Sequence, residues 1–135
     1  MNRIVKLKSL LCLLPVSLGL CLAASASAES QTINDNVYTK DQAKIGKQLY
    51  QDNCIACHDK KYFRPVLKAW NGQPLSVLFA VMSASMPESN PGSLPEKDYV
   101  DILAYILSLS RYPAGETKLD HTNNALAEIT ISARN

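Results

Sequence analysis

Cysteine and histidine, the residues from which most metal and redox centres are built, are scarce in this chain: 135 residues contain four Cys and two His. Cys12 and Cys21 fall in an N-terminal stretch with the features of an export leader, so a processed chain keeps only Cys54 and Cys57. A zinc centre would need two further Cys or His ligands, and only His121 stands apart from the Cys54–His58 segment. Internal repeats, low-complexity segments and any nucleophile–base pair that would mark an enzyme are lacking too. No charge of one sign dominates. With the leader go three of the 14 basic residues and none of the 12 acidic ones, leaving 11 against 12, or net −1. A balanced, slightly acidic surface excludes nucleic acid as a partner, because phosphate neutralisation needs clustered Lys and Arg.

The chain also lacks an apolar run long enough to span a bilayer. Arg3, Lys6 and Lys8 precede a stretch from about Leu10 to Ala24, and Ala26-Ser27-Ala28 has the small-x-small form of a cleavage site. Residues 1–28 therefore read as a signal peptide. A retained membrane anchor fits less well, since Pro15 and Gly19 interrupt the run, and a lipid on Cys21 fits least because Leu20 before it is bulky.

Beyond the leader, residues 29–37 are polar and aperiodic and read as a flexible lead-in. Thr39 and Gln42 then have the spacing of a capping box, with Tyr38 set to staple onto Ala43. A first helix is expected over Lys40 to about Asn53, its inward face Ala43, Gly46, Leu49 and Tyr50. Lys60 to Gly72 lacks a sustained period and reads as a loop with at most a short helical turn. Leu75, Leu78, Phe79 and Met82 fall at i, i+3, i+4 and i+7, a short second helix begun by Pro74 and ended before Pro87. Residues 86–92 form an irregular loop. The third helix runs from Pro95 to about Leu109, with Tyr99, Ile102, Leu103 and Ile106 as its buried stripe and Pro113 and Gly115 finishing it. Leu119, Leu126, Ile129 and Ile131 allow residues 113–135 to lie back over a domain of residues 38–112.

The most specific signal is Cys54-Ile55-Ala56-Cys57-His58, because C-x-x-C-H is the attachment pattern for c-type haem. Residues i, i+3 and i+4 share one face of a helical turn, so two thiols can each add to a vinyl group while the adjoining imidazole points at the iron. The rival readings are a structural disulfide, a thiol redox pair and a zinc half-site; a redox pair would want a βαβ context that this helical periodicity lacks. One covalently bound haem c is expected, on Cys54 and Cys57 with His58 as an iron ligand. For the second axial position the candidates are Met82, Met86 and His121. Met82 lies on an apolar helical stripe, where methionine is usually core filler, and His121 lies in a polar tail as a solvated side chain. Met86, in the loop and stiffened by Pro87, is the expected ligand.

Together these residues resemble the class I c-type cytochromes, from about Val37 to the end of the third helix. Gly46 and Tyr50 with Ile102 and Tyr105 are similar to that family's crossed terminal helices. The resemblance implies an all-α class I fold, three main helices around one haem plus an extended C-terminal tail. It also implies haem-pocket roles for Pro65, whose carbonyl would accept from the free nitrogen of the axial His58, and for Trp70 at the haem edge. Arg64, where the family often has glycine, and Pro95, where a Ser or Thr cap is common, depart from the pattern. Met86-Pro87 with residues 90–94 and 99–107 is similar to cytochromes that serve PQQ-dependent dehydrogenases. The function so implied is single-electron transfer in the periplasm between a dehydrogenase donor and an oxidase or cytochrome acceptor, by a carrier and not an enzyme, with no stable membrane insertion once the leader is cleaved. The alternatives are a haem sensor or small-ligand binder with an open sixth position, and a bound subunit that feeds electrons into an oxidoreductase.

Overall fold

Thr39 starts the first helix, α1 (Lys40–Asn53), its hydroxyl oxygen accepting from the Gln42 amide at 3.1 Å. Such a cap contributes about 1 kcal/mol. The computed structural model in which this is seen describes residues 30–135, so the expected signal peptide lies outside the described residues. The capping box is only half made. Instead of reaching back to the cap, the buried Gln42 side chain pairs with the Leu119 backbone, its Nε2 donating to the carbonyl and its Oε1 accepting from the amide, both at 2.8 Å. Gln42 thus fastens the C-terminal tail to α1.

Four α-helices follow one another where three were expected: α1, α2 (Phe63–Ala69), α3 (Leu75–Ser85) and α4 (Glu96–Leu109). The extra one, α2, replaces a predicted loop. Pro65 obscured it, but it falls in the first turn, where its missing N–H leaves no helical bond unmade. Pro74 and Pro95 prove to be caps with extended ψ, each one residue before the helix it was expected to begin.

The core is organised by α4, buried without a break from Tyr99 to Leu107, with α1 and α3 packed against it. The α1–α4 pairing is the largest, and Gly46 makes it possible. A Cβ at Gly46 would overlap the Asp101 carbonyl and approach the Ile102 nitrogen to 2.9 Å, so backbone runs against backbone there. One turn on, the rings of Tyr50 and Tyr105 meet edge-to-face with centroids 5.3 Å apart. The buried Asp101 is compensated by Lys97 Nζ at 2.6 Å. Helix α4 ends at Leu109, as expected, and is closed by the backbone ahead of Pro113 and Gly115. Arg111 takes the left-handed conformation (φ 66°), its amide donating to the Ser108 carbonyl and that of Tyr112 to Leu107, a Schellman closure.

Within the lead-in expected to be flexible over residues 29–37, the described residues 31–37 are part of the fold, as is the C-terminal tail. Strand β1 (Gln31–Thr32) pairs in parallel with β2 (Ile129–Thr130), and Ile33 and Val37 are buried. Two-residue strands carry no readable alternation, so burial of Ile33 against the tail, not local preference, orders this segment. On the tail side Leu119, Leu126, Ile129 and Ile131 are all buried. Ile131 donates to the Gln73 carbonyl at 2.8 Å and accepts from Gly72 at 2.7 Å. Among the described residues no helix is long and apolar enough to cross a membrane.

Gly46→Ala should cost at least about 1–3 kcal/mol, since neither backbone can yield without separating α1 from α4. A melting curve within 1 °C of wild type would contradict the close crossing.

Candidate cofactor site

At the end of α1 the chain makes one further turn. The Cys54 amide still bonds to the Tyr50 carbonyl at 2.9 Å, and the Cys54 carbonyl accepts from both Cys57 (3.2 Å) and His58 (2.9 Å). The three chemistry-bearing residues of the motif therefore share a single turn of backbone. Tyr50 holds that turn from below, its hydroxyl donating to the His58 carbonyl at 2.6 Å and to that of Asp59 at 3.2 Å. Burial, followed by the charges of Cys54, Tyr105 and Asp59, pushes the Tyr50 pKa up to about 12, so this hydroxyl remains a donor at any physiological pH. Burial raises the Cys54 thiol as well. Cys54 and Cys57 are not joined to each other in a disulfide.

The turn borders a cavity of about 910 Å³ whose lining includes Cys54, Cys57, His58, Trp70, Met82 and Met86. Phe63, Val66 and Trp70 from one face of α2, Leu78 and Met82 from α3, and Tyr99, Ile102 and Ile106 from α4 make its walls largely apolar. Pockets for organic ligands run to about 300–1,000 Å³ with mostly apolar walls and a few placed polar groups, and this cavity lies near the upper end.

Met86 lines the same cavity. It is the C-cap of α3 rather than a free loop residue, and its amide bonds to the Met82 carbonyl at 3.0 Å. Its own carbonyl accepts from the Tyr99 hydroxyl at 2.5 Å and from the Gly92 amide at 3.2 Å. Tyr99 was read from its spacing as core alone. Nothing local in the sequence betrays its second role, because its partner lies thirteen residues back.

Trp70 is half-buried and lines the cavity. Pro65 does not line it: it is exposed, and no bond joins its carbonyl to His58. With the prolyl carbonyl turned into α2, His58 Nδ1 is buried without a partner, and the ring is packed instead by Tyr62 and Phe63 at centroid distances of 4.2 and 5.7 Å. His121, expected in solvent, is half-buried away from the cavity. It stacks on Phe79 and places Nε2 3.3 Å from Glu96 Oε2. Met82, expected as filler, is buried in the core and also reaches the cavity.

Two thiols, an imidazole and two thioethers around one apolar cavity are donors of the kind that hold an iron porphyrin. The family model described as cytochrome c oxidase, cbb3-type, subunit III matches residues 41–106, a span that contains every residue lining the cavity. Over residues 41–106, just under half of the chain, the sequence is therefore similar to a cytochrome c domain. No curated protein and no solved structure matches the chain. The helical architecture is that of a class I cytochrome c, and the cytochrome c family implies covalent haem c. The residues present fit that group: the two thiols are not joined to each other, they share one cavity with an imidazole and two thioethers, and that cavity is large and apolar.

Removing the Tyr99 hydroxyl should loosen the Met86 side of the cavity alone. Its bond is worth about 0.5–1.5 kcal/mol, so Tyr99→Phe should speed hydrogen exchange of the 86–93 amides roughly two- to tenfold while α1 stays protected. Exchange unchanged in that segment would show that the bond does not hold it.

Proposed function

We propose that the chain is an exported monohaem cytochrome that passes single electrons between redox proteins in the periplasm, with Cys54 and Cys57 as thioether anchors and His58 and Met86 as the axial iron ligands. The observation that carries this reading is the placement of the C-x-x-C-H turn and Met86 on one cavity. Haem held between imidazole and thioether supplies a one-electron couple at higher potential than two nitrogen ligands would give. The protein's part is to position and to exclude. Tyr50 fixes the backbone that carries His58, Tyr99 fixes the backbone that carries Met86, and the apolar walls keep water out, which favours the less charged reduced state. Met86 is preferred over Met82 because two hydrogen bonds hold its carbonyl at the rim, whereas Met82 is part of the packed face of α3.

For partners, the family's description as a subunit of a cbb3-type oxidase supports a terminal oxidase on the acceptor side, and favours a bound subunit over a free carrier. On the donor side we place a dehydrogenase. The likeness of the Met86–Leu94 loop to cytochromes serving PQQ-dependent enzymes supports that class. Residues 1–28, read as a cleaved leader, support export.

In Met86→Ala, the red-edge charge-transfer absorption of a sulfur-ligated ferric haem should vanish, the potential should fall, and the reduced protein should take up carbon monoxide readily. An unaltered spectrum would move the ligand role elsewhere, with Met82 next. Carbon monoxide binding by the unmodified reduced protein as fast as by the variant would instead support a sensor with an open sixth position.

A further inference from the structure

A different face of α2 borders a second cavity, of about 430 Å³, that shares no lining residue with the first. Arg64 and Lys68, one helical turn apart, meet Arg134 of the tail there, with Asn71, Ser110 and Tyr112 completing the polar side of the wall. Among the described residues, no carboxylate lies within ion-pair distance of any of the three cations. Three like charges gathered around one concavity repel one another unless something of opposite sign joins them. Ser110 is only 8% exposed, yet its hydroxyl oxygen has no hydrogen-bond partner, a costly state for a buried polar group.

The cavity is firmly built on each side. Arg134 does not sit on a loose end: the Tyr112 hydroxyl donates to the Ser132 carbonyl at 2.7 Å, and the Asn34 side-chain amide donates to Ser132 Oγ and the Ala133 carbonyl, both at 2.8 Å. Arg134 and Tyr112 line the same cavity. The carbonyls that end α4 and would repel an anion are taken, those of Ile106, Leu107 and Ser108 by the amides of Ser110, Tyr112 and Arg111. An apolar wall from Leu67 and the Tyr112 ring leaves room for more than a bare inorganic ion.

We propose that this cavity is a binding site for a small organic anion, its phosphate or carboxylate headgroup held by Arg64, Lys68 and Arg134 with Ser110 beneath, and its body lying against Leu67 and Tyr112. A guanidinium matches either headgroup with two parallel N–H donors, and Lys68 adds a point charge. The site does not depend on the haem assignment, since no residue is shared.

The test is an amide NMR titration of the exported protein at constant ionic strength, with pyrophosphate as one probe and citrate as the other. Saturable shifts confined to residues 64–71, 110–112 and 132–134 are expected, and the tighter probe identifies the headgroup. The double variant Arg64→Ala/Lys68→Ala, both exposed positions that leave the fold intact, should weaken binding at least roughly tenfold. Arg134→Ala should weaken it on its own from the other side of the cavity. Linear, non-saturating shifts with both probes, or an unchanged affinity in the double variant, would overturn the proposal.

Discussion

The backbone contact between α1 and α4 at Gly46 is the constraint on which the rest of the structure depends. Because no side chain separates the helices there, α1 and α4 are held at a fixed spacing beside the cavity, and at least one residue of each bears on the site. On α1 that residue is Tyr50, directly before the Cys54 turn. On α4, Ile102 and Ile106 become cavity wall. Packing at this one point and the geometry of the candidate site are therefore the same fact seen at two scales.

From each crossing helix one tyrosine hydroxyl reaches a backbone carbonyl at one side of the cavity. Tyr50 of α1 secures His58, and Tyr99 of α4 secures Met86. Neither bond goes to a side chain that a cofactor would need, so the imidazole and the thioether stay available while their main chain is held. This division of labour suits an electron carrier, in which ligand positions should change little between oxidation states.

Much of this was legible in the sequence because the relevant signals are local. The apolar period of α1, α3 and α4, the Thr39 cap and the five-residue attachment pattern all lie within a turn or two of chain, and Gly46 stood out as a glycine in a helix that otherwise had no reason for one. What was missed is non-local. Gln42 has the spacing of a capping-box residue but spends its amide on Leu119, 77 residues away. Ile33 looks like part of an idle lead-in until the tail arrives to bury it. Pro65 misled twice, by hiding α2 and by suggesting a bond to His58 that its place inside that helix does not provide. The second cavity could not have been read at all, since its cations come from α2 and from a tail some seventy residues later.

Intact mass and an absorption spectrum of the exported, purified protein test the central claim most directly. The account predicts a red protein whose mass is that of the processed chain plus one haem, with neither Cys54 nor Cys57 open to alkylation. A colourless chain with both thiols free, or with the two joined to each other, would contradict it.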